Sequence, residues 1–214
     1  MNIPQAFGNI DIYLFDQLMK GRIAVADRVL DAGCGSGRNA HYLLRESVDV
    51  YGVDENPPAV AAFAELAAEL GHPLQDGRAR QAALDALPFD QDYFDVVICS
   101  AVLHFARDDQ HFEDMVAELF RVLRPGGLFF SRLASSAGIE SQVQWLSGRR
   151  AYLPDGSERY LVNEAQLMAL TAAHGQLLDP LKTTIVHGQR AMTTWVVRKI
   201  TSELIDSASC LWLL

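Results

Sequence analysis

The chain has 214 residues, of which 50% are hydrophobic and 21% are charged, a composition typical of one folded domain and not of a disordered segment. The formal net charge of −9 disfavours a nucleic-acid partner, because phosphate contacts require clustered Lys and Arg. No apolar run reaches the length of a membrane span and residues 1–10 lack a secretion signal, so we expect a cytoplasmic protein with no membrane partner.

Short apolar runs alternate with helical patterns, which predicts a parallel sheet with crossover helices. The predicted parallel strands are 28–32, 48–54, 80–83, 94–99 and 128–133. The predicted helices are 37–45, 57–70, 115–123 and 163–174. Residues 177–186 and 191–198 flank Gly188, which predicts a closing antiparallel hairpin.

Three stretches lie outside this alternation. Residues 1–25 predict an N-terminal helix that serves as a lid, with ordinary helix packing as the alternative. Residues 134–162 are assigned as a substrate insertion, of which 135–160 is expected to be irregular. We assign no role to the tail 201–214. The absence of a repeat or linker indicates a single domain, 1–214.

The strongest motif is V-L-D-A-G-C-G-S-G, residues 29–37, at the turn between the first predicted strand and the helix that follows it. Glycines there permit a tight turn and let a ligand lie against bare backbone. A dinucleotide fingerprint requires a third small residue, but Arg38 occupies that position. Asp31 would repel a pyrophosphate, so the loop favours a ligand that carries positive charge.

A second acid, Asp54, ends the predicted second strand. In such folds an acid at this position accepts hydrogen bonds from ribose hydroxyls. Enzymes that bind NAD use the same device, and a solvated strand-end aspartate is the plainer alternative. The meaning of Asp54 therefore depends on the loop that precedes it.

Four motifs in this order resemble those of the class I S-adenosylmethionine-dependent methyltransferases, over roughly residues 10–200. The small-molecule type with G-C-G-x-G-R-N, which includes the tellurite-resistance methyltransferases, is the most similar. The matching segments are 31–39, 53–56, 87–89 with 94–97, and 123–127. The resemblance implies a Rossmann-like α/β fold: a mostly parallel seven-stranded sheet with a final antiparallel strand and helices on both faces. It also implies S-adenosyl-L-methionine as the cofactor.

The resemblance assigns nine residues to that cofactor. They are Asp31, Gly33, Cys34, Gly35, Arg38, Asp54, Glu55, Leu84 and Ser100. Asp31 and the Gly33 backbone would hold the methionine end, together with the carbonyl of Ser100. Asp54 would bind the ribose, and Glu55 and the N–H of Leu84 would contact the adenine. The family's adenine-binding aspartate aligns with Ala83, and Asp85 follows two residues later, so that contact stays open. Arg38 also indicates an acidic neighbour, with Asp31 and Asp54 as candidates.

His104 lies where an acceptor would meet the methyl group, either as a general base or as a residue that only shapes the pocket. Trp145 and Tyr152 are predicted to form a wall of the substrate site. No catalytic residue is assigned. The three cysteines, Cys34, Cys99 and Cys210, are far apart in sequence, and neither they nor the histidines predict a metal site.

The sequence thus predicts methyl transfer to an unidentified small-molecule acceptor by in-line displacement. Arg38 and Asp31 disfavour an NAD-linked oxidoreductase. An aminopropyl transferase would require an added acid cluster for a polyamine, which is not evident. A non-catalytic sensor that binds S-adenosylmethionine remains the alternative, because binding motifs do not report turnover.

Overall fold

The computed structural model describes residues 2–75 and 77–200, so the tail 201–214 lies outside the described residues. The helices are α1 (Ile3–Phe7), α2 (Ile12–Met19), α3 (His41–Arg45), α4 (Pro57–Glu69), α5 (Asp109–Val122) and α6 (Glu164–His174), with a short 3₁₀ helix at Leu103–Phe105. The strands are β1 (Arg28–Ala32), β2 (Asp49–Asp54), β3 (Ala79–Gln81), β4 (Phe94–Ser100), β5 (Leu123–Ser135), β6 (Gln144–Ser147), β7 (Arg150–Tyr152), β8 (Glu158–Tyr160), β9 (Gly175–Leu177), β10 (Lys182–Val186) and β11 (Arg190–Lys199).

The main sheet has the strand order β10-β11-β5-β4-β1-β2-β3, and the short β9 also pairs with β11. Strands β1 to β5 pair in parallel, whereas β11 runs antiparallel to β5, β9 and β10. Strands β2 and β3 lie on one side of β1, whereas β4 and β5 lie on the other, so the direction in which strands are added changes between β1 and β4. Ligands of open α/β sheets bind at such a switch point, beyond the carboxyl ends of the strands. The predicted fold class is confirmed.

Helices cover both faces of the sheet. Successive residues of β5 show this, because Phe129 packs in one buried cluster with α5 and α6 while Phe130 packs in another with α2, α3 and α4. Strand side chains alternate between faces, so a strand buried on both sides is apolar at successive positions. The apolar run of β4 follows from the same burial.

Two expectations from the sequence are wrong. The helix after β1 begins at His41 and not at residue 37, because Gly37 has a left-handed φ of +84° and residues 34–40 form turns. The insertion is not irregular either, since β6, β7 and β8 form a separate three-stranded antiparallel sheet. This small sheet packs Ala151 and Leu153 against Ala134, close to the carboxyl end of β5.

Candidate functional site

The glycine-rich turn after β1 is fastened to the end of β2. The backbone amides of Gly33 and Cys34 both donate to the carbonyl oxygen of Val53, at 2.8 and 2.9 Å. The next free amide, that of Gly35, donates to Oδ2 of Asp54 at 3.0 Å. The turn and the predicted ribose-binding acid therefore form one hydrogen-bonded unit.

Two glycines in this turn have different physical reasons to be glycine. Gly33 has a φ of +75°, and a Cβ there would lie 2.3 Å from Cγ2 of Val102, so only a bare backbone fits. Gly35 has a φ of +53°, yet a Cβ would meet nothing within 4 Å among the described residues. The turn is thus packed against Val102 at Gly33 and open at Gly35, as a turn that binds a ligand requires.

Asp31 is the most unusual group of the site. Its side chain is buried, with 2% relative exposure, and its Oδ2 has no hydrogen-bond partner among the described residues. Burial raises the pKa of this carboxyl to about 7, an effect opposed by Arg38 and reinforced by Asp54. An unpaired buried carboxylate is costly, so the position fits a ligand that brings a cationic group to it.

Asp54 is half-buried, and its second oxygen, Oδ1, accepts from the backbone amide of Asn56 at 2.9 Å. Each carboxylate oxygen keeps acceptor capacity after these two bonds. A cavity of about 310 Å³ lies beside it, lined by Gly33, Asp54, Glu55, Leu84, Val102 and Met115 among others. We call this the cofactor cavity.

Arg38 pairs with neither of the two expected acids, and that expectation is wrong. Its guanidinium lies 3.8 Å from Oδ2 of Asp11 and 3.4 Å from Oγ of Ser100. The side chain of Asp11 is 2% exposed and also binds Arg132, with Nη1 3.2 Å from Oδ2. Since Asp11 precedes α2, these ion pairs fasten the N-terminal segment to the turn after β1 and to β5.

The side chain of Cys34 is buried, and burial raises the pKa of its thiol above the ordinary range. Cys99 is buried in the same way. A buried neutral thiol is a poor nucleophile and metal ligand. Cys34 therefore contributes to the turn through its backbone.

A second cavity, of about 290 Å³, adjoins the first at Ala101, which lines both. Its lining residues come from the 3₁₀ helix, β5, the insertion and the β10–β11 hairpin, and they include His104, Arg132, Leu153, Ser157, Arg159 and Arg190. Ala101 has a left-handed φ of +65°, a strained conformation for a non-glycine residue. We call this the acceptor cavity, because it contains His104, which the sequence predicts to lie where an acceptor would meet the methyl group.

His104 is held in a defined orientation within the acceptor cavity. It is 6% exposed, and its Nδ1 accepts from the backbone amide of Ala134 at 3.3 Å. Burial lowers the pKa of the imidazole to about 4, with a further contribution from Arg159. A neutral imidazole whose Nδ1 accepts carries its proton on Nε2, so His104 has an N–H group at Nε2 that is able to donate.

Comparisons with known proteins agree with this geometry. Residues 29–127 match the model of a family described as a methyltransferase domain. A malonyl-[acyl-carrier protein] O-methyltransferase from Enterobacter lignolyticus is 31% identical over 150 residues, which are 70% of this chain and 55% of that protein. The chain thus spans about half the length of the curated relatives it matches.

Two solved structures share the fold. A methyltransferase from Methanosarcina mazei has a TM-score of 0.69 at 20% identity, over 86% of this chain and 98% of that one. The 1,6-didemethyltoxoflavin-N1-methyltransferase of Burkholderia thailandensis, solved with S-adenosylhomocysteine, has a TM-score of 0.66 at 22% identity, over 94% and 82% of the two chains.

Residues 29–127 therefore resemble a methyltransferase domain. This match supports the methyltransferase resemblance predicted from the sequence, and with it S-adenosyl-L-methionine as the cofactor. All nine predicted cofactor residues lie in or beside the glycine turn or at the carboxyl ends of β2 to β4. Four of them, Gly33, Asp54, Glu55 and Leu84, line the cofactor cavity, whereas Asp31, Cys34, Gly35, Arg38 and Ser100 do not.

The structure does not bring the two predicted wall residues to the acceptor cavity. Trp145 and Tyr152 are 46% and 42% exposed and line neither cavity. Leu153, Ser157 and Arg159 of the same insertion line the cavity instead. Strands of three or four residues have too few positions for alternation to reveal which side chains face inward.

Several functional neighbours were missed by sequence reasoning. Asp11 and Arg132 pair across the N-terminal segment and β5, and His111 lines the cofactor cavity with Nε2 3.5 Å from Oδ2 of Asp85.

Tyr13 of the predicted lid forms a hydrogen bond with Thr184 at 2.6 Å, whereas Phe15 packs edge-on against Phe7. Tyr13 thus connects α2 to β10 of the hairpin beside the acceptor cavity.

Two kinds of feature are absent from the described residues. Within residues 2–75 and 77–200, no group of three or more His, Cys, Asp or Glu side chains is arranged to hold a metal ion. Over the same residues, none of the helices combines the length and apolar character needed to cross a membrane.

Proposed function

We propose that this protein is an S-adenosylmethionine-dependent methyltransferase that transfers a methyl group to a small-molecule acceptor. The observation that carries the proposal is Asp31, a buried carboxylate with an unpartnered oxygen at the end of β1. The ammonium of the cofactor would supply the missing partner. The run Gly33–Asn39, G-C-G-S-G-R-N, supports assignment to the small-molecule type.

Five residues would hold the cofactor. Asp31 and the carbonyl of Ser100 would bind its ammonium, and the free lone pairs of Asp54 would accept from the ribose hydroxyls. Glu55 and Leu84, which both line the cofactor cavity, would flank the adenine. When bound, the cofactor supplies an activated methyl group on a sulfonium that leaves as a neutral thioether.

Catalysis then rests on alignment and exclusion of water more than on acid–base chemistry. The junction at Ala101 is where the two cavities adjoin, so the acceptor's nucleophilic atom would approach the cofactor there. His104 would donate a hydrogen bond from Nε2 and orient the acceptor, because its lowered pKa makes it a weak base. His104 is thus proposed as a positioning residue.

We further infer a single domain over 1–214 and a cytoplasmic location without a nucleic-acid partner. The two described cysteines are free thiols, which fits a reducing compartment. The net charge of −9 supports the inference about nucleic acids.

The direct test is release of S-adenosylhomocysteine from S-adenosylmethionine in the presence of a panel of small acceptors. We expect acceptor-dependent release, together with calorimetric binding of S-adenosylmethionine and none of NADH. Binding without release for any acceptor would favour the alternative of a cofactor sensor. Binding of NADH in place of S-adenosylmethionine would overturn the proposal altogether.

A further inference from the structure

The acceptor cavity has an unusual concentration of arginine for an acidic protein. Arg132, Arg159 and Arg190 line it, and Asp155 is the one carboxylate among the lining residues. The chain as a whole carries a formal net charge of −9. The cavity is therefore a local positive region on a protein whose overall charge is negative.

Two of these guanidinium groups form no ion pair among the described residues. Arg132 is paired with Asp11, but its buried Nε has no hydrogen-bond partner among the described residues. Neither Arg159 nor Arg190 has a carboxylate oxygen within 4 Å in residues 2–75 and 77–200. Asp155 offsets part of their charge at longer range: the hydrogen bond from Ser157 lowers the pKa of its carboxyl, and the charges of Arg190 and Arg159 lower it further. The nearest candidate for Arg159 in sequence, Glu158, has its carboxylate bound by Arg150.

Arg159 is also held in place. Its Nη1 donates to the carbonyl oxygen of Glu158 at 2.7 Å, and its guanidinium lies 4.9 Å from the ring centroid of Phe105. Phe105 lines the cofactor cavity, so Arg159 stands near the boundary between the two cavities. A guanidinium stacked on a ring and anchored to a carbonyl keeps other N–H groups available.

The polar groups of the acceptor cavity are nearly all donors. The arginines cannot accept, and His104 presents Nε2–H because its Nδ1 already accepts from Ala134. The single carboxylate, Asp155, accepts at Oδ1 from both the N–H and the hydroxyl of Ser157. A ligand that fills this cavity must therefore bring acceptors.

We propose that the acceptor substrate is a small organic anion whose carboxylate or phosphate group is bound by Arg159 and Arg190. The inference rests on the proposed methyltransferase function and adds its substrate class. Arginine forks match the geometry of both oxyanions, and hydrogen bonds between charged groups are stronger than those between neutral ones. A neutral acceptor would leave these two guanidinium groups without a charged partner.

In its first arm, the test compares probes of nearly the same shape that differ in charge. The wild-type protein, saturated with S-adenosylhomocysteine, is titrated in a calorimeter with aliphatic and aromatic carboxylates and with their neutral carboxamides. Phosphate monoesters and their parent alcohols form the second arm and distinguish phosphate from carboxylate. The same compounds are then offered as acceptors with S-adenosylmethionine, and release of S-adenosylhomocysteine is measured.

Three variants accompany the titrations. Arg159→Gln removes the charge, Arg159→Lys keeps it without the fork, and Arg149→Gln is the matched control, an insertion arginine that lines neither cavity. We expect anions to bind at least about 10-fold more tightly than their neutral counterparts, and Arg159→Gln to weaken them by about 10- to 100-fold. Arg159→Lys should recover part of the loss, and Arg149→Gln should match the wild type.

Equal or tighter binding of the neutral probes, or identical behaviour of Arg159→Gln and Arg149→Gln, would overturn the inference. If Arg159→Gln does not fold, as judged by circular dichroism, Arg190→Gln and Arg159→Lys provide the same comparison. Methylation of neutral acceptors in preference to anions would reject the anion site and leave the methyltransferase function standing. Absence of S-adenosylmethionine binding would reject the proposed function itself.

Discussion

The carboxylate of Asp54 accepts a hydrogen bond from the backbone amide of Gly35, with 3.0 Å between Oδ2 and the amide nitrogen. The two residues are separated by 19 positions and lie at the ends of neighbouring parallel strands or just beyond them. Asp54 therefore holds the glycine turn in shape and also presents its remaining lone pairs to the cofactor cavity. One side chain links the geometry of the turn to ligand binding.

Replacement of Asp54 by Ala is expected to weaken S-adenosylmethionine binding by about 2–3 kcal/mol, the magnitude of lost hydrogen bonds to a charged group. Isothermal titration calorimetry measures the change directly. Asp90→Ala, at an exposed aspartate outside both cavities, is the control and should leave the affinity unchanged. An affinity for Asp54→Ala within twofold of the wild type would contradict the ribose assignment.

Replacement of Asp31 by Asn should stabilise the unliganded protein while it weakens cofactor binding. Because the folded pKa of Asp31 is raised to about 7 from a reference of 3.8, the unfolded chain releases this proton first as the pH rises. Between pH 3.8 and about 7 the native state binds more protons than the unfolded state, so the free energy of unfolding falls as the pH rises. The cost reaches about 4 kcal/mol at pH 8 and is less than half of that at pH 5.

Denaturant unfolding of the wild type and Asp31→Asn at pH 5 and pH 8 checks this expectation. The gain in unfolding free energy should be larger at pH 8, and calorimetry of the same variant should show loss of S-adenosylmethionine affinity. For the wild type, affinity should rise with pH through about 7, since the cationic cofactor favours the ionised carboxylate. A pH-independent affinity would contradict the pairing of Asp31 with the ammonium.

Much of the fold could be predicted because the parallel strands and their turns carry strong local signals. The apolar β4 is one example, and α4, which begins with two prolines, is another, since burial on two faces and a fixed φ at the helix start are visible in the residue types alone. The glycine turn with Asp31 and Asp54 was predictable for the same reason. Spacing within one supersecondary unit is a local property.

The acceptor side was much less predictable. Asp11 and Arg132 are 121 positions apart, and nothing in either local sequence indicates that they pair. The strands of the insertion are too short to show which side chains face inward. The sequence therefore indicates the aromatic residues Trp145 and Tyr152 and does not identify Arg159. Long-range contacts and the facing of short strands are decided by tertiary packing, which the sequence pattern does not reveal.

Gly33→Ala is expected to be more damaging than Gly35→Ala, although both glycines have positive φ. A Cβ at residue 33 would lie 2.3 Å from Val102, whereas one at residue 35 meets open space in the unliganded protein. Both variants bear the cost of a left-handed alanine, about 1 kcal/mol, and Gly33→Ala adds a clash of about 1–3 kcal/mol. Thermal unfolding should rank them in this order.

The double variant Gly33→Ala with Val102→Ala tests the cause of that difference. Removing the two methyl groups of Val102 takes away the closest contacts and should restore part of the stability lost in Gly33→Ala. Additive losses in the double variant would show that backbone strain, and not Val102, decides the outcome. Gly35→Ala, in contrast, should mainly reduce cofactor affinity, because its added methyl group projects into the open side of the turn.

His104 should remain neutral throughout the working range of pH. Its pKa is lowered to about 4, so between pH 4 and 6.5 the unfolded chain binds a proton that the native state does not. Stability is therefore lost as the pH falls through this window, by up to about 3 kcal/mol, and His104→Gln should reduce that loss. In the same variant, kcat/KM should fall, but the shape of its pH profile near pH 6.5 should not change. A residue that stays neutral in this range contributes no inflection to the profile. The imidazole resonances of His104, followed by NMR from pH 8 to pH 5, should stay constant, and a midpoint near 6.5 would restore the general-base interpretation.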